Sequence, residues 1–288
     1  MLDRETQPVP DSFAVLAGGL DHPEGVAWDP LTERVYAGGE AGQIYAIGLD
    51  GSVTTVAVTG GFILGLAVDG RGLVYACDVG RGEVVRIDPA TGVVTPFASG
   101  DGTTRMAAPN WLAFDAVGAL YVTDSGDWGK RDGRIWRVAP DGGAEIWTTA
   151  ANALPNGCCI SADGDALFVV ETNMPGITRI AICPDGSAGP PERWIDLPGT
   201  VPDGVAATAD GGLLVACYRP DAVLRVRADR SIETLVEDPD GQLLGAPANV
   251  AFVGPKLDRL VTSNLGRWHV TIGDPGVRGV PLARPVFD

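Results

Sequence analysis

The sequence predicts an all-β protein: a six-bladed β-propeller with four-stranded antiparallel blades, closed by an N-terminal strand. Three observations lead there. Glycine (40) and proline (22) are far more frequent among the 288 residues than the roughly 12 % of average proteins, and helices tolerate neither in such numbers. The apolar residues fall in short alternating or β-branched runs separated by Gly, Asp or Asn, which is strand-and-turn patterning. Those runs come in sets of four, and the set recurs six times.

The first set opens on HPEGVAWD (22–29). It continues through runs at 34–37, 43–47 and 53–58, with the turn Leu49-Asp50-Gly51 before the last. ILGLAVD (63–69) opens the second, PNWLAFD (109–115) the third and PNGCCIS (155–161) the fourth. PDGVAAT (202–208) and PANVAFV (247–253) open the fifth and sixth. Equivalent positions fall at 24, 64, 110, 156, 203 and 248. Four strands in roughly 45 residues is the period of a propeller blade. The sixth set lacks an outer strand, and the strand-like stretch 12–18 is expected to supply it, tying the chain ends together. Residues 1–288 then form one domain without a linker.

The formal net charge is −16. Such a surface repels phosphate backbones, which excludes a nucleic-acid partner, and most of the charge reads as solvated surface. The five cysteines, Cys77, Cys158, Cys159, Cys183 and Cys217, are odd in number and contain no CxxC. They read as mostly buried free thiols, and the expected compartment is a reducing cytoplasm. The N-terminal stretch MLDRETQPVPDSF carries neither a basic nor an apolar targeting region. No apolar run reaches the ~18 residues of a membrane span, so no membrane partner is expected. Oligomeric state is not legible.

The innermost strand of each blade lines the central channel, so the residue opening each inner strand sits at one mouth of it. Those six residues are Glu24, Leu64, Asn110, Asn156, Asp203 and Ala248. Four carry side-chain oxygens. Pro-Asn-Gly and Pro-Asp-Gly are also turn sequences, but a turn does not require one register in four blades. Two carboxylates converging in a channel repel each other, and a divalent cation cancels them. Two carboxylates and two amides suit Ca²⁺ first, with Mg²⁺ or Mn²⁺ next. The absence of Cys and His at these positions argues against a soft-ligand structural zinc site, although Zn²⁺ and Fe²⁺ also accept oxygen ligands.

HPEG (22–25), LPNG (154–157), VPDG (201–204), PANVAFVG (247–254) and LDRLVTSN (257–264) resemble, in order and spacing, the family of regucalcin (senescence marker protein), gluconolactonase and luciferin-regenerating enzyme. The resemblance covers nearly the whole chain. It implies that Glu24, Asn156 and Asp203 bind one divalent metal and that Asn110 lies near the metal or binds substrate. Squid-type diisopropyl fluorophosphatase is similar in its Glu/Asn/Asn/Asp pattern. Two positions depart from the sugar lactonases of the family, which often carry Arg where this chain has Ala108 and Asp where it has Trp111. Both changes make the pocket more apolar.

The activity implied is metal-dependent hydrolysis, with lactone ring opening first and phosphotriester hydrolysis a mechanistic relative. The metal polarises a carbonyl and water adds to it. Asp203 is the candidate to orient or deprotonate that water, with nucleophile and simple ligand as the other roles open to it. The loop DSGDWGKRDGR (124–134) is the longest between second and third strands, and Trp111, Asp124 and Trp128 are expected to form a substrate wall. Glu171 with Asn173, Tyr218 with Arg219, Asn264 and Glu40 end the equivalent strands and are rim candidates, Glu171 and Tyr218 foremost. Lys130 and Arg131 offer positive charge to an acid product. His22 and His269, the only histidines, read as loop or surface residues. The competing readings are a non-enzymatic metal-binding scaffold or sensor, and a condensing enzyme similar to strictosidine synthase, against which the oxygen ring argues.

Overall fold

In the computed structural model the described residues are 12–287. The N-terminal segment read above for a targeting signal lies almost wholly outside them. Six four-stranded antiparallel sheets are arranged as blades, and no helix occurs among the described residues. No helix is therefore long and apolar enough to cross a membrane. The inner strands are Val26–Asp29, Ile63–Val68, Pro109–Phe114, Pro155–Ile160, Val201–Ala207 and Pro247–Val253. Each packs against the next, and the sixth packs against the first, closing the ring.

The expected closure is present. Ala14–Gly18 pairs antiparallel with His269–Gly273 as the outer strand of blade 6, with Ala14 opposite Ile272 and Gly18 opposite His269. The last blade is thus built from both ends of the described chain.

Each blade buries both faces against its neighbours, which is why second strands such as VYACD (74–78) and ALFVVE (166–171) read as continuous apolar runs. The core is accordingly divided among six clusters, one per seam. Between blades 1 and 2, for example, Tyr36 and Ile44 meet Ile63, Leu66 and Val85. Between blades 4 and 5, Phe168, Val170 and Trp194 meet Val205 and Val215.

Many acidic residues have turn duties rather than a purely solvated role. Asp50, Asp185 and Asp229 each accept from the backbone N–H and the hydroxyl of a serine two residues on. These bonds hold all three carboxyls below the usual range.

The segment after the last strand, not foreseen from sequence, runs under the ring. Ala209 N–H donates to Arg278 O (2.8 Å), Gly279 N–H to Leu257 O (2.8 Å) and Gly70 N–H to Pro285 O (2.8 Å). Arg284 donates to the buried Asp29 carboxylate at 2.5 Å and to Asp69 O at 2.7 Å. Phe287 reaches the Tyr75 and Phe114 rings. The tail thereby joins inner-strand ends of several blades at the face opposite the oxygen ring.

Candidate metal centre at the channel mouth

Five of the six ring positions share a register because their inner strands share a defect. In blade 3, Pro109 lies opposite Asp124 and Leu112 opposite Val122, so that Asn110 and Trp111 together face Thr123. The same β-bulge recurs at 155–158, 63–66, 247–250 and 202–205. A bulge re-aims successive side chains and is common beside active sites. It falls at Asn110, Asn156 and Asp203, and at their counterparts Leu64 and Ala248. Glu24 stands two residues ahead of its inner strand, where Gly38 N–H bonds Gly25 O at 3.2 Å.

Glycine follows the ring position in blades 1, 2, 4 and 5 because the neighbouring strand leaves no room for a side chain. A Cβ on Gly157 would stand 2.6 Å from Asp203 O, and one on Gly65 would stand 2.7 Å from Asn110 O. On Gly25 it would collide with Leu64 O, and on Gly204 with the Asn249 amide. The Pro-Asn-Gly and Pro-Asp-Gly sequences are therefore not turns. Both lie inside strands, and their glycines do not have positive φ. Close approach selects glycine here.

Glu24, Asn110, Asn156 and Asp203 are 4–8 % exposed. Glu24 Oε2, Asn110 Oδ1, Asn156 Oδ1 and Asp203 Oδ1 are all buried without a hydrogen-bond partner. Buried polar atoms are almost always satisfied, so four orphaned oxygens in one register fit a hard cation. Burial pushes both carboxyls up. Glu24 is raised well above its usual value, first by desolvation and then by the charges of Asp203 and Glu40. Asp203 is raised by desolvation to about 7.

The other sequence candidates are placed as follows. Trp111 is buried in the seam between blades 3 and 4 and also lies against Gly65 of blade 2. The Asp124 carboxylate is fully buried and accepts from Ala107 N–H (3.0 Å), Ala108 N–H (2.7 Å) and Trp136 Nε1–H (3.0 Å). Glu171 accepts from Asn152 N–H, Ala153 N–H and the Thr178 hydroxyl, and pairs with Arg193 at 3.5 Å. Both carboxylates thus anchor the loop that leads into their blade's inner strand. Asn264 does the same, accepting from Gly245 N–H at 3.2 Å. Trp128 is 76 % exposed. Tyr218 stacks with Arg219 at 5.0 Å and, with Ala246 and Arg267, lines a recess of about 270 Å³. Lys130 pairs with Asp127, and Arg131 donates to Asn152 Oδ1. At the rim, His22 Nδ1 lies 3.2 Å from Asp21 and 3.4 Å from Glu40, with its ring against Trp268. Asp21, His22 and Glu40 bring three potential ligand atoms within 4.8 Å of one another. His269 Nε2 lies 2.9 Å from Leu243 O.

Seam hydroxyls escaped the sequence reading. Thr123 donates to Asn156 O (2.7 Å), Ser125 to Pro155 O (2.8 Å), Thr172 to Pro202 O (2.8 Å) and Ser263 to Glu24 O. Each reaches across a seam to the backbone at or beside a ring residue. Ser or Thr in a strand carries no hydropathy signal for such a bond. Asn249, beside the ring position Ala248, was missed for a similar reason.

The fold and site define a six-bladed propeller with four buried, unpartnered side-chain oxygens at equivalent positions of four blades. The chain belongs to the SMP-30/gluconolactonase/LRE-like family, whose model matches residues 22–264. Similar solved structures include a gluconolactonase from Xanthomonas campestris, at 22 % identity over 91 % of this chain and 89 % of that one, TM-score 0.78. A calcium-binding regucalcin from Agrobacterium tumefaciens str. C58 is 21 % identical over 96 % and 99 %, TM-score 0.76. A luciferin-regenerating enzyme is 17 % identical over 94 % and 97 %, TM-score 0.78. At these identities the structures speak to the fold. The search of curated proteins finds no match.

Proposed function

We propose that the protein is a divalent-metal-dependent hydrolase that opens a lactone ring, with Ca²⁺ as the first choice of metal. The observation that carries the reading is the set of four orphaned oxygens, two of them carboxylate, at equivalent inner-strand positions of four blades. Family membership and the gluconolactonase neighbour support the lactone, and the neighbour described as calcium-binding supports the ion. Glu24, Asn110, Asn156 and Asp203 would hold the cation, which when bound supplies Lewis-acid polarisation of the carbonyl.

The chain's own residues do the rest. Asp203 orients the attacking water and accepts its proton. Asn110 and Asn156 present amide oxygens that fix the positions of cation and substrate. Trp111 closes the wall between ring and seam, and Tyr218 and Trp128 stand at the rim. Asp124 and Glu171 are left out of the substrate wall because backbone N–H groups already engage their carboxylates. The five cysteines are free and four are buried, which supports a reducing cytoplasm as the compartment.

The test is a lactone panel assayed on chelator-stripped protein with single divalent ions added back. Activity should vanish on stripping and return with Ca²⁺ or a close substitute, and Asp203→Ala should remove it while leaving the protein folded. Full turnover by stripped protein overturns the reading.

A further inference from the structure

We propose that Thr172 is a positioning residue that compels Asn156 to face the ring with its carbonyl oxygen rather than its amino group. This rests on the metal reading above. Asparagine is the one ring residue type whose two ends differ, since Oδ1 can coordinate a cation and Nδ2 cannot. The side chain must therefore be turned one way, and something must hold it.

The Thr172 hydroxyl has one proton and lone pairs. Pro202 O lies 2.8 Å from Thr172 Oγ1 and, being a carbonyl, can only accept. The hydroxyl proton is committed to it. What Thr172 offers Asn156 is then a lone pair, and only an N–H group can face a lone pair. Asn156 Nδ2 takes that place at 3.2 Å. The amide is planar, so Oδ1 is left pointing away from Thr172, buried and without a partner. Thr172 is itself 7 % exposed and is held by its own N–H on Leu154 O at 3.2 Å.

The same bond reaches a second ligand. Pro202 immediately precedes Asp203, so one hydroxyl fixes the amide of the blade 4 ligand and the backbone leading to the blade 5 ligand. Ser125, the counterpart of Thr172 in blade 3, donates to Pro155 O at 2.8 Å. That bond is a seam staple, and no hydrogen bond joins Ser125 to the Asn110 amide. Outer partners of this kind typically change metal affinity by about 10- to 100-fold.

The test is titration calorimetry of chelator-stripped protein with Ca²⁺ alone, on wild type, Thr172→Val and Thr172→Ser. Valine keeps the shape and removes the hydroxyl, whereas serine keeps the hydroxyl and removes the methyl. The expected result is binding to Thr172→Val weakened about 10- to 100-fold, with Thr172→Ser restoring wild-type affinity to within about threefold. If valine binds like wild type, or serine binds as weakly as valine, the inference is overturned while the metal reading stands. If wild type takes up no ion, the metal reading falls and the inference falls with it. Should Thr172→Val fail to fold, hydrogen exchange of the Asn156 side-chain amide in wild type decides. A protected N–H supports the bond to Thr172, and rapid exchange overturns it.

Discussion

The amide oxygen of Asn249 occupies the space that a Cβ on Gly204 would need. Blades 5 and 6 thus meet with Asn249, whose amide has no partner, pressed onto the backbone of Asp203-Gly204. Gly204→Ala should push the two inner strands apart. Overpacking of this kind costs about 1–3 kcal/mol, and here the displacement falls on a ring residue. Calorimetry should show a lowered melting temperature together with cation affinity reduced at least about tenfold, a drop of the size expected when ligand support is lost. Gly143→Ala is the control, since its Cβ would meet only the Asp141 carboxylate at 3.2 Å or beyond. Equal behaviour of the two variants would refute close approach as the reason for glycine at 204.

The buried carboxyls make stability run against the usual acid pattern. Folding raises the Asp203 pKa to about 7 and raises Glu24 as well, whereas the unfolded chain titrates near 4. Between those limits the folded state binds more protons, so stability of metal-free protein falls as pH rises. The turn carboxyls act oppositely, and only at lower pH, with Asp101 held down at about 2 by its bonds to Thr103 and Thr104. Melts of stripped protein should decline from about pH 5 to pH 8. Asp203→Asn should flatten the decline and melt higher than wild type at pH 8. Added Ca²⁺ should reverse the trend, because binding displaces protons and tightens as pH rises. A flat wild-type profile without metal would argue against two desolvated carboxyls.

What was legible in the sequence follows from what repeats. Six strand sets at a near-constant spacing placed the blades, and register within them put Glu24, Asn110, Asn156 and Asp203 at equivalent positions of four blades. The physical cause of that register, the bulge, was not legible, because two neighbouring side chains re-aimed by one extra residue leave the hydropathy pattern intact. Pro-Asn-Gly looked like a turn because glycine has two uses, and only the position of Asp203 O beside Gly157 distinguishes them. Asp124 and Glu171 looked like rim residues because they end second strands facing the mouth. Their bonds to Ala107–Ala108 and Asn152–Ala153 come from loops with no pattern. Thr172 was invisible for the same reason, since its role lies in one proton.

The tail under the ring yields a prediction separable from the metal site. Arg284 is the charged partner of Asp29, which is completely buried. Arg284→Met keeps the aliphatic stem and leaves Asp29 only Leu31 N–H and the Thr32 hydroxyl. Losing a hydrogen bond to a buried charge costs about 1.5–3 kcal/mol. Denaturant unfolding should register that loss. Cation affinity should stay within about threefold of wild type, because the tail and the oxygen ring sit at opposite channel faces. Unchanged stability would mean that the ion pair does not hold the tail.

The closing strand can be tested by removing it and giving it back. Without residues 1–18, His269–Gly273 presents an unpaired edge, and such edges pair with other chains. Phe13 is also lost, and its ring packs against Gly273 and fills the seam between blades 5 and 6. The truncated chain is therefore expected to associate, visible as large species in light scattering. A peptide of residues 12–19 supplies both the backbone bonds and the Phe13 ring, which is strand addition to an open edge. It should return the protein to the size of the full chain, with a melting temperature that rises with peptide concentration. The peptide with Phe13→Ala should rescue less, since a buried phenylalanine truncated to alanine costs about 3–5 kcal/mol. Rescue by both peptides alike would assign the closure to backbone pairing alone, and a truncated chain that keeps the size of the full chain would show that the ring closes without this strand.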